Sequence, residues 1–417
     1  MKRYAKNKNL LTPPPVEQID VPQKHVKLRV LLFVTFIILA VVCFAIVMVS
    51  LLKVEAGWFA VPVDSSSVQN CGGDFVFTYY FEKNQDKQYR QQVGAKYTEA
   101  SENAYALFNC DKEIEGVKNV WYINNHPNED VQISASLYNA LKLFDNADNR
   151  FLYYAPVYAV YNQLFESVSD DDASLCDPAV NAETKAYCDA MVAIVSNQSN
   201  VHIDFLENST IRLVVSDEYI DAFGDKTPVY IDFFWMKNAF IVDYLANVMI
   251  SSGYDRGIIS SYDGYTRNLA DSQETFTANI FDKPSDEAIV AGRMAYNKKM
   301  SVVMLKDFPL SSDEDGYYTY EDGTVRSHFI DFSTGENASA NSTFTAYSKT
   351  KTCAQIAIEL SKIYLKDSLD DVQIASAREN DIYSIYCKDS KIFYNDSDIE
   401  IKPIDYGEKT YIVEIIG

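Results

Sequence analysis

Few residues of this chain combine the type and the setting that chemistry needs, and His328 leads them. It is one of four histidines, and a neutral imidazole can serve as acid or base near pH 7. It stands in the segment Ser327-His328-Phe329-Ile330-Asp331-Phe332-Ser333-Thr334-Gly335. The same segment also reads as plain structure: an imidazole satisfied by hydrogen bonds at a strand end, an Asp331 carboxylate taking local backbone N–H bonds, and Gly335 supplying a positive φ. The common signatures of phosphate, nucleophile and metallohydrolase sites are absent, with no Walker loop, GxSxG, GxGxxG or HExxH in the chain. Cys71, Cys110, Cys176, Cys188, Cys353 and Cys387 show no CxxC and no zinc spacing. A local bridge would join Cys176 with Cys188, but six cysteines allow many pairings and buried free thiols fit equally well. The acidic runs 170–172 and 311–316 lack EF-hand spacing and read as solvated loops.

The His328 segment resembles a hallmark of the ApbE-type FAD:protein FMN transferases, Ser-His-Ile-Ile-Asp-Pro-x-Thr-Gly. Two further stretches follow in the family's order. The run from Ser134 to Phe144 resembles the family's Val-Ser-x-Glu-Leu-Tyr helix, and Ile231 to Asp243 has the length of Leu-Asp-Leu-Gly-Gly-Ile-Ala-Lys-Gly-Tyr-Ala-Val-Asp. The resemblance spans roughly residues 70 to 365. It implies an extracytoplasmic protein that uses FAD and Mg²⁺ to place FMN on a target hydroxyl, with His328 as the catalytic candidate. Asp232, Lys237, Asn238 and Thr78 would be the cofactor-binding candidates.

The departures from the family pattern are chemical. Where it has small residues that let backbone approach a phosphate, this chain has Phe234-Trp235-Met236-Lys237-Asn238-Ala239. The family's lysine falls on Asn238, with Lys237 one position away. One glycine of a second pair is replaced by Asp263, beside the retained Gly264. The positions matching the metal-ligating Asp and Thr are Ala354 and Ile358, which offer no oxygen, so no metal site is assigned. A one-residue shift would bring Gln355 and Glu359 to that spacing, but on the helical wheel they lie opposite the Cys353, Ile356, Ala357, Leu360 and Tyr364 stripe.

The elements that must position these residues read as α+β. Phe75 to Phe81 is a strand by its aromatic and β-branched composition, as is Val120 to Ile123. Gln85 to Phe108 and Ser134 to Phe144 are helices, the latter with Ser134 as N-cap. Asp170 to Asp189 reads as an acidic loop. A helix from Met236 to Ser251, strands at Gly257 to Ser261 and Val302 to Leu305, and a helix from Cys353 to Tyr364 follow without strict alternation. No internal repeat appears, so residues 69–417 are expected to form one large mixed α/β, ApbE-like domain related to the T-fold. Its C-terminal extension from about residue 367 is β-rich.

Charge and hydropathy place this domain outside the cytoplasm. Val30 to Leu52 holds 23 uncharged, mostly apolar residues, more than a hydrocarbon core of roughly 30 Å requires. Ahead of it stand seven basic and two acidic residues, so the expectation is a disordered basic cytoplasmic tail at 1–29, a transmembrane helix at 30–52 and a linker at 53–68. A cleaved signal peptide is the competing reading, but its apolar region would be unusually long. Of 37 basic and 59 acidic residues, removing those of the tail leaves a net charge of about −27 on the rest, which excludes nucleic acid as a natural ligand. The expected partners are the bilayer and an unidentified extracytoplasmic protein. The expected function is a degenerate flavin transferase serving as a binding or scaffolding module. The alternatives are an active divergent transferase with FAD and Mg²⁺, and a surface sensor or adhesion domain.

Overall fold

The computed structural model describes residues 26–52, 55–64, 69–146, 148–223, 229–285, 287–312, 314–405, 407 and 410–416, with the side chains of 26, 29 and 45–52 left aside. The expected cytoplasmic tail therefore lies almost wholly outside the described residues. Two compact units emerge, 1–55 and 56–417. The described part of the first is one helix, Val26–Leu52. Among the described residues no helix is long and apolar enough to cross a membrane; the expected span runs on into 45–52, whose side chains are not described.

The second unit is built on a nine-stranded sheet. Its strands, in spatial order, are Gly57–Val61, Phe75–Phe81, Gly257–Ser261, Tyr265–Asn268, Met300–Lys306, Thr343–Ser348, Tyr383–Lys388, Lys391–Tyr394 and Ile412–Ile415. Every pairing is antiparallel except the last. Period-2 alternation splits the sheet's side chains between two cores. Ile259, Val303, Phe344 and Ala346 face the helices Lys87–Phe108, Lys237–Ser251 and Cys353–Tyr364. Met300, Val302, Tyr347 and Ile385 join Ile289 and Met294 of a three-stranded sheet, Phe276–Asp282, Ile289–Tyr296 and Glu400–Pro403. The C-terminal strands thus complete the same two sheets.

Three local expectations are corrected. Val120–Asn124 is a helix, because Asn119 caps it by accepting the Tyr122 N–H at 2.9 Å; the cap outweighs the strand-like composition. The acidic stretch read as a loop holds a helix at Asp170–Cys176 and the start of another, Ala182–Ser196. They are capped by Ser169 and Asn181, with acids in each first turn where the helix dipole favours them. Gly57–Val61, inside the expected linker, is an edge strand in register with Phe77 to Phe81.

Candidate functional site

The candidate cleft begins at the turn entering the Lys237–Ser251 helix. Asp232 donates its backbone N–H to the Leu152 carbonyl at 3.0 Å, and its carboxylate accepts the Phe234 N–H at 2.9 Å. Burial pushes the Asp232 carboxyl up, against the pull of that N–H and of the Lys237 charge. The turn holds Phe234 at φ 47°, a left-handed conformation that costs a residue with a side chain about 1–2 kcal/mol. Its ring lies flat on Tyr158, with centroids 4.2 Å apart and planes 6° apart, and meets His328 edge-on at 6.4 Å. Trp235 packs against Phe329 at 5.4 Å, and its carbonyl accepts the Tyr265 hydroxyl at 2.8 Å. The Trp235 Nε1 is buried without a partner among the described residues.

Lys237 and Asn238 sit side by side but do different things. Lys237 is half-buried, makes no ion pair among the described residues, and lowers the proton affinity of Asp74 and Asp232 through its charge. Asn238 donates from Nδ2 to the Asp263 carboxylate at 2.9 Å. Burial pushes Asp263 up to about 6, and its Oδ1 has no partner among the described residues. Gly264, next in the chain, has φ 110°, and a Cβ there would stand 2.3 Å from the Met304 carbonyl oxygen. Sheet packing alone therefore requires that glycine.

His328 is half-buried between Tyr317, at 5.2 Å, and Phe329, at 4.4 Å. No described residue hydrogen-bonds its ring, so the expected hydrogen-bonded imidazole is not what the strand end provides. Burial, and then the Lys306 charge, lower its pKa to about 3. It is therefore neutral throughout the physiological range. Lys306, buried in its strand, ion-pairs with Glu314 and donates to the Tyr317 hydroxyl at 3.3 Å. The Tyr317 hydroxyl in turn donates to the Lys306 carbonyl at 2.8 Å. This Lys306, Glu314 and Tyr317 group had no signal in the sequence: one lysine in an apolar strand, one acid in an acidic loop and one of 30 tyrosines. Asp331 serves its turn, accepting the Ser333 N–H at 2.8 Å and pairing with Lys366 at 3.1 Å; although burial acts the other way, these bonds hold its carboxyl below the usual range.

The metal positions are structural. Ala354 and Ile358 are buried and apolar. The N–H groups of Cys353 and Ala354 donate to the Asp243 carboxylate at 3.0 and 2.8 Å, and Arg267 pairs with it at 3.0 Å. The shifted pair is committed elsewhere: Gln355 completes a capping box with Thr352, and Glu359 accepts from Lys362 at 3.1 Å. Among the described residues no group of three His, Cys, Asp or Glu is placed to hold a metal, so these residues do not fit Mg²⁺ at the matched positions. Thr78 is not brought to the cleft; it pairs with Ala60 and Ile258, on the strand face opposite Phe77 and Tyr79. All seven cysteines are free thiols, Cys176 and Cys188 included.

The fold and this cleft define an ApbE-like architecture. No family model matches the sequence, and no curated protein matches it. Among solved structures, the chain is similar to the ApbE protein of Thermotoga maritima, with a TM-score of 0.52 and 14% identity over 84% of this chain and 97% of that one. It is also similar to the flavin transferase ApbE of Vibrio cholerae, with a TM-score of 0.49 and 12% identity over the same shares. At such identities the likeness shows the fold, a mixed α/β, ApbE-like one.

Proposed function

We propose that the chain is a membrane-anchored, extracytoplasmic ApbE-like protein in which the flavin-transfer cleft is closed by its own side chains. Its work would be to bind or scaffold a partner protein. The observation that carries the reading is Phe234, stacked on Tyr158 and edge-on to His328, at a turn position where the resembled pattern has glycine. Three further observations support it: apolar residues at both metal positions, a buried Asp263 Oδ1 without a partner among the described residues, beside the turn, and an imidazole too weakly basic to collect a substrate proton near pH 7. The uncharged 23-residue stretch with basic residues before it supports the anchor and the orientation.

The test is transfer itself. The full chain is incubated with FAD, Mg²⁺ and an acceptor protein, and covalent flavin is read by in-gel fluorescence. The proposal expects none above background. His328-dependent labelling would replace it with an active, divergent transferase. Protease accessibility in intact cells tests the orientation separately, with residues 56–417 expected to be digested from outside.

A further inference from the structure

A second cavity lies away from the His328 cleft, at the end of the large sheet that carries its first strand. Its volume is about 610 Å³, and Trp58, Tyr80, Asn268, Gln273, Glu274 and Asn297 line it. That volume falls in the range of small-ligand sites. The Trp58 ring packs edge-to-face with Tyr80 at 5.5 Å and with Phe276 at 5.0 Å, and its Nε1 donates to Glu274 at 2.5 Å. Three side chains thereby fix the orientation of this indole.

The cations around the cavity are already paired, and the Glu274 carboxylate is engaged by the Trp58 indole N–H. Asp271 pairs with Lys298 at 3.2 Å and accepts the Lys299 N–H at 2.9 Å. Arg256 pairs with Glu82 and lies over the Tyr80 ring at 5.1 Å. An ionic ligand would have to displace these partners, whereas a neutral polyol need not. Asn268 is buried, and its Nδ2 is held by the Lys298 carbonyl at 2.8 Å; its Oδ1 has no bond among the described residues. A held indole beside neutral amides suits a molecule with one apolar face and a rim of hydroxyls.

We propose that this cavity binds a neutral pyranose saccharide, its C–H face against Trp58 and its hydroxyls toward Asn268, Gln273 and Asn297. The site goes beyond the scaffolding role proposed above and does not depend on the state of the flavin cleft. The full chain, kept in a detergent without sugar headgroups, is titrated calorimetrically with cellobiose and with the N-acetylglucosamine trimer. Saturable binding of at least one, with a Kd of about 1 mM or tighter, is expected. Trp58→Ala should weaken it about tenfold or more, and Trp58→Phe should restore most of that loss. Because Trp58 also packs in its strand, Gln273→Ala on the exposed rim is the second variant; it should weaken binding measurably while leaving the melting temperature unchanged. No saturation with either saccharide would overturn the proposal. So would undiminished binding in both Trp58→Ala and Gln273→Ala, or a preference for glucuronate-containing over neutral saccharides.

Discussion

Two buried polar clusters touch the Lys237–Ser251 helix, and they are satisfied to very different degrees. At Asp243 both carboxylate oxygens are used: Oδ1 meets Arg267 and the Cys353 N–H, and Oδ2 meets the Ala354 N–H. This carboxylate ties three elements together and caps the N-terminus of the Cys353–Tyr364 helix, where the dipole favours an anion. At the helix entrance the Asp263 Oδ1 and the Trp235 Nε1 have no partner, and the His328 ring has no hydrogen bond among the described residues. Buried polar groups are normally paired, and exceptions gather where function, present or past, shapes the site. The Asp243 cluster is thus complete within the fold, while the cleft keeps two buried polar atoms unpaired among the described residues.

The largest expected effect lies at the satisfied cluster. Asp243→Ala leaves the half-buried Arg267 without its ion-pair partner and two helix N–H groups without their acceptor, and should cost about 3 kcal/mol in chemical denaturation. Asp263→Asn in the cleft should leave stability unchanged or raised near neutral pH, because burial already disfavours that charge. Equal losses would erase the distinction between the two regions.

Packing around His328 ranks next. Gly316 has φ 82°, and a Cβ there would fall 2.1 Å from the His328 Nδ1. Gly316→Ala should therefore destabilise the domain by about 2 kcal/mol through strain and overlap together. A neutral result in thermal and denaturant melts would mean that the imidazole is free to move aside.

The pH dependence separates the two titrating groups of the cleft. His328 takes its proton at about 3 when folded and near 6.5 when unfolded, so its contribution is complete above the unfolded value and is lost as pH falls toward 3. Asp263 titrates near 6 when folded and near 3.9 when unfolded, so its charge opposes folding at neutral pH and that opposition fades as pH falls from 6 to 4. Between those limits the two effects offset each other. Relative to the parent, His328→Gln should gain stability on acidification from pH 6 to 4, and Asp263→Asn should lose it, each by up to about 1.4 kcal/mol per pH unit. Parallel stability curves for the two variants would refute the opposed titrations. The smallest effect belongs to Thr78→Val, within about 0.5 kcal/mol, since Thr78 lies on the sheet face turned away from the cleft.

Much of the frame was legible because local signals agreed with tertiary packing. Phe75–Phe81 alternates buried and half-buried along its length, and Cys353–Tyr364 has its stripe and a capping box. Val120–Asn124 was not legible, because Val, Trp, Tyr and Ile favour strands and only the Asn119 side-chain bond reveals a helix. Phe234 and Trp235 stood out in the sequence by their bulk in a stretch that resembles a glycine-bearing one, and the structure packs them on Tyr158 and Phe329. The Lys306, Glu314 and Tyr317 support could not, since its meaning arises only when a strand and a loop bring ordinary residues together. Thr78 shows the reverse failure: a plausible residue on a correctly read strand whose side chain takes the other face.

The central claim, that the chain's own side chains occupy the cleft, is tested most directly by titrating FAD into the full-length protein with and without Mg²⁺ and following flavin fluorescence. The account predicts no saturable binding up to high micromolar FAD and no response to Mg²⁺. Tight binding that strengthens with Mg²⁺ would contradict it, because Phe234 would then have to leave Tyr158 and a metal site would have to form away from Ala354 and Ile358.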